Sequence, residues 1–483
     1  MFTAALLIDG TAMPARGEAI FERIDPVSRE VATRAAAAGI EDARHAANVA
    51  ARAFPVWSAM PPAARCACLE QGAAAILARE DDFVEAMVTE TGGTEGWARF
   101  NCALAARHLR EAAAIIDQIQ GEELPCDNPD IRSISLRQPC GVVFSLAPWN
   151  APIVLAVRGL ALPLACGNTV VLKASELCPR THSLLAETLQ EAGLPHGVLN
   201  LLHSSPETTA EVVETVIAHP AVRRVTFTGS TRIGRRIAEV AARHLKRCVL
   251  ELSGKCPLLV LEDADLDAAV DAAVFGSFYH QGQICMATER VIVDAGIADA
   301  FLLAFKARAE AIPAGDPREP GRAIGAMITE EAARRVKGLI DDAVLKGARL
   351  IAGGRQDGPF LDPTILEGVT PAMRIYAEES FGPVACVIRV IDEEEAIFVA
   401  NDTEYGLSAA VFSRDTQRAM AVARRLETGI CHINGATIDD EPQAPFGGVK
   451  ASGYGRFGGK AGIDEFTELR WLTMATGARR YPI

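Results

Sequence analysis

Short apolar runs alternate with longer amphipathic segments through the middle of the chain, from residue 141 to residue 252. The apolar runs have the length of buried strands, and the segments between them have helical spacing. This alternation predicts an α/β fold with a parallel, doubly wound sheet, which binds ligands at the carboxyl ends of its strands. The predicted strands are 142–146, 169–172, 198–202, 222–227 and 249–252, and the predicted helices are 152–166, 179–192, one ending near 218, and 232–244.

The flanking segments have different patterns. Residues 1–37 are predicted to form short strands, and residues 39–116 an Ala-rich layer of helices interrupted at Gly92 and Gly93. Apolar and polar residues alternate over 131–137, which predicts a half-exposed strand of the kind that often pairs with another subunit. A second strand–helix alternation runs from 264 to about 412, and the segment after 466 predicts a final strand. The strands of this second set are predicted at 290–294, 323–326 and 384–390.

Composition favours a soluble globular protein of roughly three domains. The chain has 483 residues, 49% of them hydrophobic, and a formal net charge of −14, which argues against nucleic acid or an anionic membrane as a partner. Residues 2–8 predict a strand rather than a signal peptide, and no apolar run is long enough to span a bilayer. Twelve cysteines without a CxxC pair fit a reducing cytoplasm, and no motif has metal-ligand spacing.

One cysteine, Cys285, lies in a Gly- and Gln-rich turn between a predicted helix at 266–279 and a predicted strand at 290–293. A thiol at such a turn can be exposed, and its thiolate is a strong nucleophile. A free cysteine is more often a small buried apolar residue, so the turn alone does not establish catalysis. Glu251 ends the last strand of the first sheet, one predicted helix earlier, where a carboxylate can act as a general base.

Polar residues follow three other predicted strands. Asn150 precedes a helix and is either an N-cap or an amide donor toward an oxyanion. Lys173 and Glu176 form either a surface ion pair or a ribose site, in which the carboxylate favours NAD over NADP. The turn at Gly229 and Ser230 opens a helix, so it is either an ordinary cap or a phosphate site.

Two further segments contain glycines. Residues 453–458 match GxGxxG, but we reject this run as a nucleotide loop because no strand is predicted before it and Gly459 follows instead of a helix. Residues 378–384 are predicted to form a helix end, a turn and the start of a strand.

Taken in order, these motifs resemble the aldehyde dehydrogenase superfamily along most of the chain. Each motif is common by itself, whereas six in this order are very specific. They are Pro148-Trp149-Asn150, Lys173 with Glu176, Phe227-Thr228-Gly229-Ser230, Glu251-Leu252-x-Gly254-Lys255, Gly282-Gln283-x-Cys285 and Glu379-x-Phe381-Gly382-Pro383. The residues around the thiol, Gln-Gly-Gln-Ile-Cys-Met, are similar to those of bacterial aromatic aldehyde dehydrogenases of the salicylaldehyde, benzaldehyde and vanillin type.

The resemblance implies two doubly wound α/β domains and a small β arm for assembly into a homodimer or homotetramer. The implied NAD-binding domain comprises 1–119 and 139–250, and the implied catalytic domain 251–462. The implied oligomerisation arm comprises 120–138 and 463–483.

The resemblance also implies NAD-dependent oxidation of an aldehyde to its carboxylic acid, with NADP as the less favoured cofactor. Cys285 would attack the aldehyde, while Asn150 and the Cys285 backbone N–H would stabilise the oxyanion of the thiohemiacetal. Glu251 would activate the water that hydrolyses the thioester. The implied cofactor-binding residues are Trp149, Lys173, Glu176, Gly229, Ser230, Leu252, Glu379 and Phe381.

The resemblance implies that side chains lining a tunnel determine which aldehyde is bound. Ala151 and Arg158 lie on one face of a predicted helix, so a small residue widens the pocket and an arginine can meet a phenolic substituent. Ile284 and Met286 flank the thiol, and Trp97 can add a ring to the pocket. The alternative for Arg158 is an internal ion pair, and for Trp97 it is core packing.

Several alternatives stay open beside an aromatic aldehyde dehydrogenase. An aliphatic or semialdehyde dehydrogenase has the same motifs, and a CoA-acylating relative would not need Glu251. A cysteine hydrolase without cofactor would leave the NAD motifs idle, and an inactive scaffold would not need the complete catalytic set. The sequence departs from the family pattern at Ser253, which replaces a usual glycine and can restrict the movement of Glu251, and at Ala174, which replaces a frequent proline.

Overall fold

The chain folds into an α/β structure with two large sheets, seen in a computed structural model that describes residues 2–478 and 481. Its helices are α1 (Ile40–Ala59), α2 (Pro62–Ala78), α3 (Glu80–Thr91), α4 (Glu95–Ala114), α5 (Pro152–Ala165), α6 (Pro179–Glu191), α7 (Thr209–Ala218), α8 (Thr231–Arg243), α9 (Leu266–Phe278), α10 (Ala298–Glu310), α11 (Glu330–Leu345), α12 (Arg374–Ala377), α13 (Glu393–Asn401), α14 (Thr416–Ala423) and α15 (Gly459–Phe466). Its strands are β1 (Phe2–Ala4), β2 (Leu6–Ile8), β3 (Thr11–Met13), β4 (Ile20–Ile24), β5 (Val31–Ala36), β6 (Glu122–Leu124), β7 (Ile131–Pro139), β8 (Val142–Leu146), β9 (Thr169–Lys173), β10 (Leu199–Leu202), β11 (Val222–Thr228), β12 (Arg247–Glu251), β13 (Cys256–Val260), β14 (Thr288–Asp294), β15 (Arg349–Ala352), β16 (Gln356–Asp357), β17 (Phe360–Leu361), β18 (Thr364–Glu367), β19 (Val384–Val390), β20 (Ser408–Phe412), β21 (Ile430–Ile433), β22 (Gly453–Tyr454) and β23 (Thr467–Ala475).

The first large sheet contains all five strands predicted between residues 141 and 252. Its order is β22-β12-β11-β8-β9-β10-β2-β3, and the pairs from β12 through β10 are parallel. The chain order reverses between β8 and β11, so a crevice outside their carboxyl ends is the expected ligand site. The parallel, doubly wound sheet is therefore confirmed.

Helix α5 leaves that crevice and passes through the middle of the first lobe. Its sequence is apolar on nearly every side, and all of its residues from Pro152 to Ala165 are buried, as a helix covered on all faces requires. Pro152 suits the first turn because it has no N–H to leave unbonded there. The predicted helical layer, α1 to α4, is confirmed, and Gly92 in a left-handed conformation ends α3.

The second large sheet has the order β15-β18-β19-β14-β13-β20-β21. The predicted strands at 290–294 and 384–390 lie within β14 and β19, whereas the strand predicted at 323–326 is wrong. That segment makes only an isolated bridge between Ala314 and Ile324. Its backbone bonds to the helical layer instead, because the Ala326 N–H donates to the Gly92 carbonyl at 2.9 Å.

The alternating segment at 131–137 forms β7, the middle strand of a three-stranded sheet. Strand β23 from the tail and the short β6 pair with β7 in antiparallel register. Strand β23 leaves Leu469, Trp471 and Met474 exposed. The predicted final strand therefore exists, while residues 479, 480, 482 and 483 of the predicted arm lie outside the described part.

The GxGxxG run at 453–458 begins in a short strand and is followed by a helix. Gly459 begins α15, and Gly453–Tyr454 form β22, which pairs antiparallel with β12. One reason for rejecting the GxGxxG run was therefore wrong, since a helix does follow it. The sequence did not indicate this helix because glycines occupy positions 458 and 459, where it begins.

No helix in the described ranges 2–478 and 481 is long and apolar enough to cross a lipid bilayer.

Candidate active site

Cys285 lies between α9 and β14, at the amino end of the second sheet, and is half-buried. Three consecutive residues before it have positive φ angles, namely His280 at 49°, Gln281 at 57° and Gly282 at 66°. This left-handed run turns the chain sharply at the end of α9. The Gln281 side-chain amide holds the turn in place by donating to the Ala326 carbonyl at 2.7 Å, so the predicted Gly- and Gln-rich turn aims the thiol.

Glu251 ends β12, and its carboxylate lies close to the thiol of Cys285. Glu251 is 1% exposed. Neither of its carboxylate oxygens has a hydrogen-bond partner among the described residues. Burial raises the pKa of Glu251, although the nearby charge of Arg158 opposes the change. Burial and the charge of Glu251 raise the pKa of the Cys285 thiol well above its ordinary value. The charge of Glu251 thus favours a proton on Cys285, while the Cys285 thiol lowers the pKa of Glu251, as expected of a nucleophile and a base that lie close together.

A short link from Leu252 to Lys255 joins β12 to β13 and passes directly beside Cys285. Gly254 allows this close approach, because a Cβ atom there would lie 2.3 Å from the Cys285 carbonyl oxygen. The Cys256 thiol also donates to that carbonyl at 3.6 Å. The link therefore couples the position of Glu251 to that of Cys285 through covalent bonds and backbone contacts.

Asn150 follows β8 and is buried beside Cys285. Its side-chain amide donates to the Gln283 carbonyl at 3.0 Å, which fixes the orientation of the amide and leaves its second N–H available. The indole N–H of Trp97 donates to the Asn150 backbone carbonyl at 2.9 Å. Asn150 is not a side-chain cap of α5, whose N-cap position is Ala151, so its arrangement favours the oxyanion interpretation.

A cavity of about 190 Å³ opens onto Cys285. All of the predicted substrate residues line it, namely Trp97, Ala151, Arg158, Ile284 and Met286. The sequence analysis missed other lining residues, among them Phe100, Phe275, Ile438, Asp440 and Phe446. The acidic run 439–441 was a signal for Asp440, whereas nothing in the sequence around Phe446 pointed to the cavity.

Arg158 and Trp97 both fit their alternative interpretations as well. Arg158 makes a buried ion pair with Asp440. Trp97 is 3% exposed and stacks on His280 with ring centres 4.4 Å apart. Each residue therefore combines an internal structural contact with a place in the cavity wall.

The predicted cofactor residues of the first sheet lie at its carboxyl edge. Lys173 pairs with Glu176 at 3.2 Å, next to the end of β9. Ser230 is exposed and is the N-cap residue of α8, but its side chain makes no capping bond, so the helix dipole and free N–H groups suit a phosphate. The Gly229 N–H donates to the Glu251 carbonyl at 3.0 Å. These features fit a dinucleotide across the crevice between β8 and β11.

The remaining cofactor candidates come from both large sheets, since Trp149 follows β8 and Leu252 follows β12, whereas Glu379 and Phe381 precede β19. Trp149 and Phe381 meet edge to face with ring centres 5.6 Å apart, and Leu252 is buried. Glu379 accepts from the Gly254 N–H at 2.9 Å. Burial and the charge of Glu289 raise the pKa of Glu379 to about 7, although Ser253, which lies beside it, lowers this pKa.

Glu289, which the sequence analysis missed, holds the segment 379–381 in place. Its carboxylate accepts from the N–H groups of Ser380 at 2.8 Å and Phe381 at 3.0 Å, and it pairs with the buried Lys255. Phe381 has a φ angle of 48°, a conformation that a bulky residue keeps only when its surroundings impose it. The sequence analysis began this strand at residue 290, so Glu289 fell in the predicted turn and its role was not predicted.

We expect Glu289→Gln to destabilise the protein by about 3 kcal/mol, because it leaves the buried Lys255 without its counter-charge. The measurement is the thermal unfolding temperature, followed by circular dichroism. Glu378→Gln is the matched control, since Glu378 pairs with Arg374 at the surface and its loss should cost no more than about 1 kcal/mol. Equal unfolding temperatures for the two variants would contradict the role given to Glu289.

Comparisons with known proteins agree with this geometry. The model of the aldehyde dehydrogenase family matches residues 13–472. The chain is 56% identical to a vanillin dehydrogenase of Pseudomonas fluorescens over 483 residues, 100% of both chains. It is 49% identical to a salicylaldehyde dehydrogenase of Pseudomonas putida, with 99% of each covered. A crystal structure of salicylaldehyde dehydrogenase from Pseudomonas putida G7, complexed with salicylaldehyde, superposes with a TM-score of 0.98 at 48% identity over 100% of both chains. The chain belongs to the aldehyde dehydrogenase family.

Proposed function

We propose that this enzyme oxidises an aromatic aldehyde to its carboxylic acid with NAD, using Cys285 as the nucleophile. The observation that carries the proposal is the single cavity in which Cys285 and Asn150 meet aromatic walls, with Glu251 close to the thiol. A nucleophile (Cys285), a hydrogen-bond donor for an oxyanion (Asn150) and a base (Glu251) are then all close to the position of one carbonyl carbon.

The first half of the reaction forms a bond between sulfur and carbon. The Cys285 thiol loses its proton to solvent, and the sulfur of the resulting thiolate adds to the carbonyl carbon to give a thiohemiacetal. The carbonyl oxygen takes the negative charge, and the Asn150 side-chain N–H and the Cys285 backbone N–H stabilise it. The raised pKa of Glu251 suits a carboxylate that must accept a proton near neutral pH.

The second half releases the acid. Lys173, Glu176 and Ser230, with Glu379 and Phe381, would hold NAD, which would supply the acceptor for the hydride that leaves the thiohemiacetal carbon. The resulting thioester is attacked by water, whose proton Glu251 accepts. The carbon–sulfur bond then breaks, the carboxylic acid leaves, and Cys285 returns as a thiolate.

The cavity wall favours an aromatic substrate over an anionic semialdehyde. Rings of Trp97, Phe100, Phe275 and Phe446 line it, and such walls stabilise a planar apolar ring. Its charged lining comprises two arginines, 107 and 158, and three carboxylates, 439 to 441. A substrate carboxylate would therefore meet no excess of positive charge, and the relatives named for vanillin and salicylaldehyde agree with this choice.

Glu251 also separates this proposal from the CoA-acylating alternative. A carboxylate buried beside the thiol is suited to activating water, whereas transfer of an acyl group to a thiol such as CoA needs no such base. Acid formation that is independent of CoA is the corresponding expectation.

We expect Glu176→Gln to raise the ratio of kcat/KM for NADP over NAD by about tenfold, because it removes a charge that would repel a 2′-phosphate. The measurement is initial rate against cofactor concentration. Glu191→Gln on α6, whose carboxylate pairs with Arg79 at the surface, is the control and should leave the ratio unchanged. An unchanged ratio in Glu176→Gln would remove this residue from cofactor selection.

We further propose that the enzyme is a cytoplasmic homodimer or homotetramer, built from the NAD-binding, catalytic and arm segments given by the sequence analysis. All twelve cysteines are free thiols, as suits a reducing compartment. Trp471 on β23 is 69% exposed, next to other exposed apolar residues of the arm, and such a patch marks an interface.

The proposed function is tested by following NADH absorbance with benzaldehyde, vanillin and salicylaldehyde, and with an anionic semialdehyde for comparison. We expect NADH and stoichiometric acid from the aromatic aldehydes, with kcat/KM at least about tenfold above that of the semialdehyde. A higher kcat/KM for the semialdehyde would contradict the aromatic assignment, and ester cleavage without any NADH would contradict the oxidoreductase itself.

A further inference from the structure

The side chain of His182 connects two segments that carry proposed site residues. One segment is the loop 174–178 after β9, which contains Glu176 and is called the ribose loop below. The other is the segment 148–152 after β8, which contains Asn150 and is called the oxyanion segment. His182 lies near the start of α6, is fully buried and reaches both segments with its imidazole ring.

Each ring nitrogen of His182 has its own backbone partner. Nδ1 accepts from the Ser175 N–H in the ribose loop at 3.2 Å, and Nε2 lies 3.1 Å from the Pro152 carbonyl oxygen in the oxyanion segment. Because a backbone N–H can only donate, Nδ1 carries no proton, so Nε2 carries it and donates to Pro152. Burial lowers the pKa of His182 to about 4, although the bond to Pro152 opposes the change, so the ring stays neutral with one donor and one acceptor.

The sheet itself does not supply this connection. The hydrogen bonds between β8 and β9 end where the Ala147 N–H donates to the Lys173 carbonyl at 3.2 Å. Beyond this point, no backbone hydrogen bond in the described part of the chain joins the oxyanion segment to the ribose loop. The Cys178 thiol adds a weak contact, since its sulfur lies 4.0 Å from the Pro148 carbonyl oxygen. His182 is therefore the main hydrogen-bonded connection between the two segments.

We propose that His182 is a positioning residue that fixes the ribose loop and the oxyanion segment relative to each other. This inference rests on the proposed function, which assigns NAD to the first segment and the oxyanion to the second. Through Ser175, the ring holds the loop that presents Glu176 to the adenosine ribose. Through Pro152, it holds the segment that presents the Asn150 amide to the oxyanion, where a small displacement costs much of the rate.

Two conservative variants each break one of the two bonds. In His182→Asn, the shorter side chain places its amide oxygen near the position of Nδ1 and accepts from Ser175, while nothing reaches Pro152. In His182→Gln, the longer side chain places its amide N–H near the position of Nε2 and donates to Pro152, while the Ser175 N–H loses its acceptor. The pair therefore separates the effect on the ribose loop from the effect on the oxyanion segment.

The measurements are the dissociation constant of NAD by calorimetry and the rate of the first turnover at saturating NAD by stopped-flow absorbance. We expect His182→Gln to raise the dissociation constant about tenfold with an unchanged first turnover, because an unpaired buried N–H loosens the ribose loop. We expect His182→Asn to slow the first turnover about tenfold with an unchanged dissociation constant, because the oxyanion donor is displaced. A residue needed only for packing would not divide the two quantities in this way.

His203→Gln is the matched control. His203 is also buried and contacts α6 through the Ser183 hydroxyl at 2.9 Å, but among the described residues its ring has no hydrogen bond to either segment. Both measured quantities should stay unchanged in this variant. Equal changes of both quantities in the two His182 variants, or no change in either variant, would overturn the inference.

Folding of each variant is followed by circular dichroism. If one His182 variant does not fold, the other decides alone, because each has its own expected result. Failure of both to fold while His203→Gln is stable would assign His182 to folding and would also overturn the positioning role.

The proposed function and this inference fail differently. Absence of NADH with every aromatic aldehyde in the unmodified enzyme would reject the proposed function. Ready NADH formation by the unmodified enzyme, together with the same changes in both His182 variants, would reject only the positioning role.

Discussion

Cys285→Ala is expected to abolish NADH formation with every aldehyde, a loss of at least about 10⁴-fold in kcat. The reason is chemical: without the sulfur no thiohemiacetal forms, and no other described side chain in the cavity wall occupies the position of the thiol. Binding of NAD should persist, because the residues proposed to hold it lie on other elements. The measurements are NADH absorbance over several hours and NAD affinity by calorimetry.

Cys256→Ala is the matched control for this prediction. Cys256 is buried and contacts the Cys285 backbone, yet its thiol is not part of the proposed chemistry. Substantial NADH formation in Cys256→Ala together with none in Cys285→Ala would assign the nucleophile. Conversely, NADH production by Cys285→Ala at a comparable rate would remove the basis of the mechanism.

Glu251→Gln is expected to retain a first turnover and to lose later ones. A glutamine cannot accept the proton of the attacking water, so the thioester accumulates after one equivalent of NADH has formed. Steady-state turnover should fall by at least about a hundredfold, as the loss of a general base does. Stopped-flow absorbance distinguishes the burst from the steady rate, and mass spectrometry detects the acylated Cys285.

The same variant should also shift the pH dependence of the burst. The charge of Glu251 raises the pKa of the Cys285 thiol, so removing that charge lowers the pKa. The pH at which the burst rate is half-maximal should therefore move to lower values in Glu251→Gln. A shift to higher pH, or undiminished steady turnover, would contradict the placement of the base beside the thiol.

The sequence predicted the first sheet and the position of its polar residues because both follow local rules. Short apolar runs between helical segments specify parallel strands, and residues such as Asn150, Lys173 and Glu251 stand where those strands end. Parallel strands place their carboxyl ends along one edge, so chain order alone brings these residues together. Cys285 could be predicted near Glu251 because a single helix was predicted between them, and the structure adds only the short strand β13 before that helix.

The features that the sequence analysis missed depend on contacts between residues that are far apart in the sequence. Nothing local in the segment 438–446 specifies that Asp440 faces Arg158 on α5, and the two residues lie 282 positions apart. Glu289 lies near the start of β14, before the predicted strand begins, and its role depends on the separate segment 379–381. The wrong strand at 323–326 has the same origin, since its backbone partner, Gly92, belongs to the helical layer.

The link from Leu252 to Lys255 has a consequence for how substrate specificity can evolve separately from the reaction. Because it joins Glu251 to residues that contact the Cys285 backbone, the positions of the base and the nucleophile depend on each other. Several of the groups that line the aldehyde cavity come instead from α4, α5 and the segment 438–446, which contribute nothing to that tie. Substitutions in these walls can therefore change which aldehyde the enzyme prefers, while Cys285 and Glu251 keep their positions and their chemistry.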